Sequence, residues 1–195
     1  MGQYYYAVIG RVNTDNTFAI DRWVHPHRFG NGLKLMEHSY VGNEVVNRVE
    51  KELMGQRAAV VWAGDYADLE KGSDENLYIE CGKNEDKQLL PPKQVKSIWK
   101  DDCGERRSPD ARFIVNHTAR QWCEIPSSRN GKTGLVVHPL PLLTAEGNGR
   151  GGGDYHGPEK YVGLWARHYL EVVPELTFEV ESMYEEIVPD FNEDD

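Results

Sequence analysis

Cysteine is scarce in this sequence. Only Cys81, Cys103 and Cys123 carry thiols, spaced about twenty residues apart. An odd count without a CxxC pair excludes a disulfide framework and the usual zinc-finger spacings. Long apolar runs are missing too. The opening MGQYYYAVIG has no basic leader region and is too short to span a bilayer, which leaves a cytoplasmic protein with reduced thiols as the expectation, and no membrane partner. No HExxH, GxSxG or Cys–His signature occurs, so the zincin protease and α/β-hydrolase patterns are not met. Positive charge is absent from one end. Pro174 to Asp195 holds nine acids and no Lys or Arg, and it accounts for nearly all of the net charge of -10. The remainder is close to neutral and lacks the footprint of a duplex nucleic-acid binder. The acidic end itself suits a basic protein partner.

Aromatic residues are present in number: ten Tyr, five Trp and five Phe, enough to argue against a disordered chain. At 195 residues the chain reads as a single domain, 1–195, able to bury most of its unfolded surface without a metal or disulfide staple. Tyr4–Val12 and Thr17–Val24 read as two strands around a Thr14-Asp15-Asn16 turn. Asn43 is placed to cap a helix over 43–54, with Val45, Val46, Val49 and Leu53 at helical spacing and Gly55 as its stop. Ala58–Ala63 reads as a buried strand. Residues 70–110 are charged and irregular, an excursion with one short strand. Arg112–Asn116 and Gln121–Ile125 form a second hairpin, and Asn130-Gly131 is a turn signal. Leu135–Leu143, broken by Pro139 and Pro141, suits an edge strand or extended loop. Val162–Leu170 fits helix or strand, and Leu176–Glu181 alternates like a strand. The expected class is α+β, a mainly antiparallel sheet with one well-defined helix packed on it, and an acidic segment over 174–195.

Three stretches carry potential chemistry. The first is Glu146–Tyr155, in which Gly147, Gly149, Gly151, Gly152 and Gly153 surround Asn148, Arg150 and Asp154. Glycine lets backbone N–H groups converge on an anion, and Arg150 can add a bidentate grip. The same run equally suits a loop that needs glycine only for its shape. It is not a dinucleotide fingerprint, and Gly131-Lys132-Thr133 is not a P-loop because Pro126 stands where the first glycine belongs. The second is Glu37-His38 before the capped helix, a pair that can orient an imidazole for acid–base work or serve as a structural hydrogen bonder. The third is Asp65 and Asp68 after the 58–63 strand, which could hold a divalent cation or a ribose hydroxyl, or cap the next turn. His117 and His138 join Asp65, Asp68 and His38 as a metal set if the fold brings them together. Spacing does not decide this.

The blocks KLMEHSYVGN (34–43), VWAGDYAD (61–68), IVNHT (114–118) and HPLPLLTAEGNGRGGGDY (138–155) resemble a family of uncharacterised proteins from bacteria and their phages. The similarity spans the first strand to about Arg167. It carries over no catalytic residue. It implies a stand-alone cytosolic protein for which nucleotide chemistry or interference with a host signal is worth testing.

Three functions compete. In the first, Gly147–Gly153 with Arg150 bind the phosphates of a small anionic ligand, foremost a nucleotide, with Asp154 also in the ligand site, while Trp62 or Tyr155 stacks on its base. In the second, a metal-assisted phosphoesterase uses Glu37, His38 and His117 as acid–base groups with Asp65, Asp68 and His138 at the metal. In the third, a non-enzymatic interaction module presents its acidic end. Convergence of Glu37-His38, Asp65, His117 and 146–154 on one cleft is the structural expectation shared by the first two.

Overall fold

A computed structural model describes residues 3–92, 111–126, 135–147 and 154–191. The expected turn at Asn130-Gly131, and Asn148 to Gly153 with Arg150 among them, lie outside the described residues.

β1 (Tyr5–Val12) and β2 (Phe18–Val24) form the expected hairpin. Its turn is closed by Asp15, whose Oδ1 accepts from the Thr17 amide and hydroxyl at 3.1 and 2.7 Å. The register shifts between Ile9 and Gly10, where a Cβ on Gly10 would stand 2.1 Å from the Ala19 carbonyl oxygen. Only glycine fits this bulge.

α1 (Leu35–His38) and α2 (Glu44–Leu53) follow. Asn43 caps α2 by accepting from the Val45 amide at 2.9 Å, and Gly55, at φ 64, stands just past its end. Val45, Val46, Val49 and Leu53 are all fully buried, as their spacing requires. Each such side chain contributes about 1.5–3 kcal/mol by leaving water. β3 (Ala58–Gly64) then pairs antiparallel with β1 on the side away from β2.

The second edge of β3 is divided between two partners. Its start pairs antiparallel with β8 (Tyr169–Val173), and its end pairs parallel with the two-residue β7 (Ala145–Glu146). Beyond β8 lie β5 (Phe113–Asn116) and β6 (Gln121–Glu124), the expected second hairpin. Two short strands close the edges in parallel: β4 (Gln88–Leu89) beside β2, and β9 (Glu185–Glu186) beside β6. All pairings between longer strands are antiparallel, so the fold is mixed α+β with a mixed rather than purely antiparallel sheet.

Alternation along the strands divides the interior. Tyr5, Ala7, Ile9, Val60, Trp62, Ile114, Leu170 and Val172 face the main core with α2, while Val8, Ala59, Val61 and Ala63 face a smaller one with Leu77 and Cys81.

Three segments depart from expectation. Leu77–Lys83 is a helix, α3, capped by Asn76 on the Ile79 amide at 3.1 Å, with Leu77 and Cys81 one turn apart facing inward. Within the described part of the excursion, the short strand is β4. Pro139–Leu143 is a helix, α4, not an edge strand. Its prolines fall in the first turn, where an amide has no intrahelical partner to lose, and the His138 ring caps Leu140. Leu176–Glu181 is not a strand either: Phe178–Met183 forms α5, capped by Thr177, with Phe178 86% exposed and only Val180 turned in. The apparent alternation counted an outward Phe178 as core.

Candidate functional site

The start of β1 and the end of β3 meet at one end of the sheet. Tyr4 and Asp65 exchange two hydrogen bonds there: the Tyr4 amide donates to Asp65 Oδ1 at 3.0 Å, and the Asp65 amide donates to the Tyr4 carbonyl at 2.9 Å. Tyr66 follows Asp65 in sequence and Tyr4 is paired with it across the strands, and the two tyrosines are 50% and 43% exposed. Behind them the chain is tight. A Cβ on Gly64 would meet the Glu146 carbonyl at 3.0 Å and Gly147 Cα at 3.2 Å, so a side chain there would press β7 away from β3. Gly147 has as little room, since its Cβ would come within 2.7 Å of the Gln3 amide and the Tyr5 hydroxyl. That hydroxyl donates to Gln3 Oε1 at 2.6 Å, and Gln3 Nε2 is buried without a partner among the described residues. The far end of the glycine-rich stretch is also fixed: Asp154 Oδ1 accepts from the Met36 amide of α1 at 3.0 Å. Burial, then the charges of Asp154 and Asp65, push the Tyr5 phenol above its ordinary range. The structure therefore brings together Asp65, Gly147, Asp154 and α1.

The expected acid–base pair has other work. Glu37 accepts from the Lys34 amide at 2.9 Å and so closes the first turn of α1. His38 is fully buried. Trp62 Nε1, which can only donate, lies 3.1 Å from His38 Nε2, so the ring proton sits on Nδ1 and points to the Gly32 carbonyl at 3.2 Å. Both nitrogens are engaged, Nε2 in holding α1 to β3 and Nδ1 in tying α1 to the segment before it. Burial lowers the His38 pKa to about 4. Between that value and about 6.5 the unfolded chain binds a proton that the native chain does not, so stability falls as pH drops through this window, by about 1.4 kcal/mol per pH unit from this group. Chemical denaturation of the native protein and of His38→Gln at pH 4.5 and 6.5 checks this. The substitution should reduce the difference between the two pH values, and an undiminished difference would remove His38 as its source.

Trp62 is fully buried and Tyr155 is 6% exposed, packed edge-on against Phe191 at 5.9 Å. Neither ring offers a face to a base. The expected metal residues do not gather. Asp65 is engaged with Tyr4, Asp68 is exposed on the following turn, and His138 is buried with its Nε2 3.0 Å from Glu50 Oε1. No group of three or more metal-ligating side chains occurs among the described residues. His117 lies on the opposite face of the sheet from His38, next to Glu171 of β8. A single cleft containing both histidines is not what the fold builds.

One further cluster gathers around Arg167. Arg167 lies where β3 passes from β8 to β7, at φ 66, its amide donating to the Val60 carbonyl at 2.9 Å. Its guanidinium grips Glu146 through Nε and Nη2 at 2.8 and 2.7 Å, and also pairs with Glu70 through Nη1 and Nη2. Glu70 in turn accepts from the Phe18 amide at 3.2 Å. Burial opposes the charge of Arg167, but the hydrogen bonds to Glu146 and Glu70 outweigh it and raise the guanidinium pKa. No spacing signal marks these residues, which stand far apart in sequence.

Comparison of the chain with protein-family models, with curated proteins and with solved structures finds no match. Among the described residues, no helix is long and apolar enough to cross a membrane.

Proposed function

We propose that the protein binds a small anionic ligand of the nucleotide class at the end of the sheet formed by Tyr4, Asp65, Tyr66 and Gly147. The observation that carries this reading is the meeting there of two exposed tyrosines, Tyr4 and Tyr66, the Asp65 carboxylate held on the Tyr4 amide, and the anchored start of the glycine-rich stretch. The rings supply stacking faces, and Asp65 can accept from ribose hydroxyls. The glycine-rich stretch, with Arg150, supplies donors for phosphate. The buried Gln3 Nε2 beside Gly147 is a further donor, without an acceptor among the described residues.

Isothermal titration with a panel of mononucleotides tests the reading. Binding should weaken by about 1–3 kcal/mol in Tyr66→Ala, the scale of one base–aromatic stack. Arg150→Ala should lose about 1.5–3 kcal/mol, the scale of a hydrogen bond to a charged group. Melting temperature should hardly move in either. Absence of binding to the whole panel, or wild-type affinity in both variants, would overturn the proposal.

A further inference from the structure

A second constellation stands on the other face of the sheet, under α5. His117, at the end of β5, places Nε2 2.9 Å from Glu171 Oε2 and Nδ1 3.3 Å from the Tyr184 hydroxyl. Arg57 Nε reaches the same Glu171 oxygen at 3.4 Å. The polarity of this chain follows from its members. Glu171, beside Arg57, accepts, so the ring proton is on Nε2. Nδ1 is then an acceptor directed at the phenol. Tyr184 is held in place as the residue ending α5, its amide donating to the Val180 carbonyl at 3.0 Å, and its ring meets the imidazole edge-on at 6.0 Å. The His117 and Glu171 side chains are 10% and 19% exposed, while Tyr184 is half-buried.

A hydroxyl within reach of a base, itself oriented by a carboxylate, is the arrangement by which a weak nucleophile is activated. We propose that Tyr184 is an acyl-accepting nucleophile, with His117 as its general base and Glu171 as the group that orients and stabilises the imidazole. In the step, Tyr184 Oη attacks the carbonyl carbon of an ester and its proton passes to His117 Nδ1. The bond to the leaving oxygen breaks, and that oxygen takes the proton from Nδ1. The products are an acyl-tyrosine and a free alcohol, and water can release the acyl group by the same route. Glu171 and Glu179 face the ring and outnumber Arg57, which is itself held on Glu171, so an uncharged ester is the substrate class it suits, and an anionic phosphate ester is not. This site is separate from the nucleotide site, and neither proposal depends on the other.

The groups facing the ring are Glu171 and Arg57 from the sheet side, and Glu179 and Tyr184 from α5. Burial, then Arg57, lower the His117 pKa below 6.5 against the opposing pull of Glu171, so the ring is neutral and basic at neutral pH.

The test uses 4-nitrophenyl acetate with the full-length protein, following nitrophenolate release and locating acetyl groups by peptide mass spectrometry. Acetylation should concentrate on Tyr184 and vanish from that peptide in Tyr184→Phe. In the native protein its rate should be level from neutral pH upward, because the base is already deprotonated. In His117→Gln the rate at pH 7 should fall on the order of 100-fold or more. It should then climb about tenfold per pH unit toward the ordinary phenol pKa of about 10. Matching melting curves establish that the variants fold. Acetylation spread over lysines, or a Tyr184 rate and pH profile unchanged in His117→Gln, would overturn the proposal and leave the cluster as a tie between β5, β8 and α5.

Discussion

Arg167→Met should destabilise the protein by about 3–5 kcal/mol, the scale for removing one partner from a buried charge cluster. The methionine keeps most of the aliphatic stem, so the loss comes from charge rather than volume. Glu70 and Glu146, which share the guanidinium, would be left facing each other, and Glu70 is only 5% exposed. The damage should not stay local. Glu70 also accepts from the Phe18 amide on β2, and Glu146 belongs to β7, so the cluster joins the excursion after β3 to both halves of the sheet. Urea denaturation followed by circular dichroism measures the effect. A loss below 1 kcal/mol would show that solvent screens the cluster more than its burial implies. Double replacement with Glu70→Gln should recover part of the loss, because one of the two stranded carboxylates is then neutral.

Deleting residues 183–195 should unfold the protein, although acidic composition alone marks this stretch as expendable. Ile187 and Phe191 belong to the main core, 8% and 3% exposed, and Phe191 meets Tyr155 and Tyr161 edge-on at 5.9 and 6.4 Å. The backbone docks as well: the Glu185 amide donates to the Arg120 carbonyl at 2.9 Å and the Ile187 amide to the Trp122 carbonyl at 2.8 Å. Phe191→Ala alone should cost about 3–5 kcal/mol. Val188→Ser, at a side chain 75% exposed, should stay within about 0.5 kcal/mol. Thermal melts of the three variants check this ordering. A deletion variant that melts like the native protein would return the segment to the solvated tail that its charge suggests. The acids are accommodated because they keep their contact with water: Glu179, Glu181, Glu185 and Glu186 are all exposed, while the few apolar residues between them do the anchoring.

What could be read in the sequence follows from local physics. The hairpin of β1 and β2, the buried strand β3 and the capped helix α2 were legible because each is encoded by near neighbours. Asn43 meets the amide two residues on, the four apolar side chains of α2 recur at the helical period, and Asp15 closes its own turn. The short elements were misread where local pattern has two meanings. Prolines that forbid a strand's ladder are tolerated in the first turn of a helix, which is the difference between an edge strand and α4. Six residues cannot distinguish a strand's alternation from a short helix with one exposed aromatic, as in α5.

Distant partners were not legible at all. Whether His38 is a base or a buried acceptor depends on Trp62, 24 positions away, and the role of His117 depends on Glu171 and Tyr184, 54 and 67 positions away. Sequence determined which residue types were on hand at the ends of the strands. Only the packing of β3 against both β7 and β8 decided which of them share a face, because side-chain direction in a sheet reverses at every residue and a donor or acceptor acquires its role from whatever is folded against it.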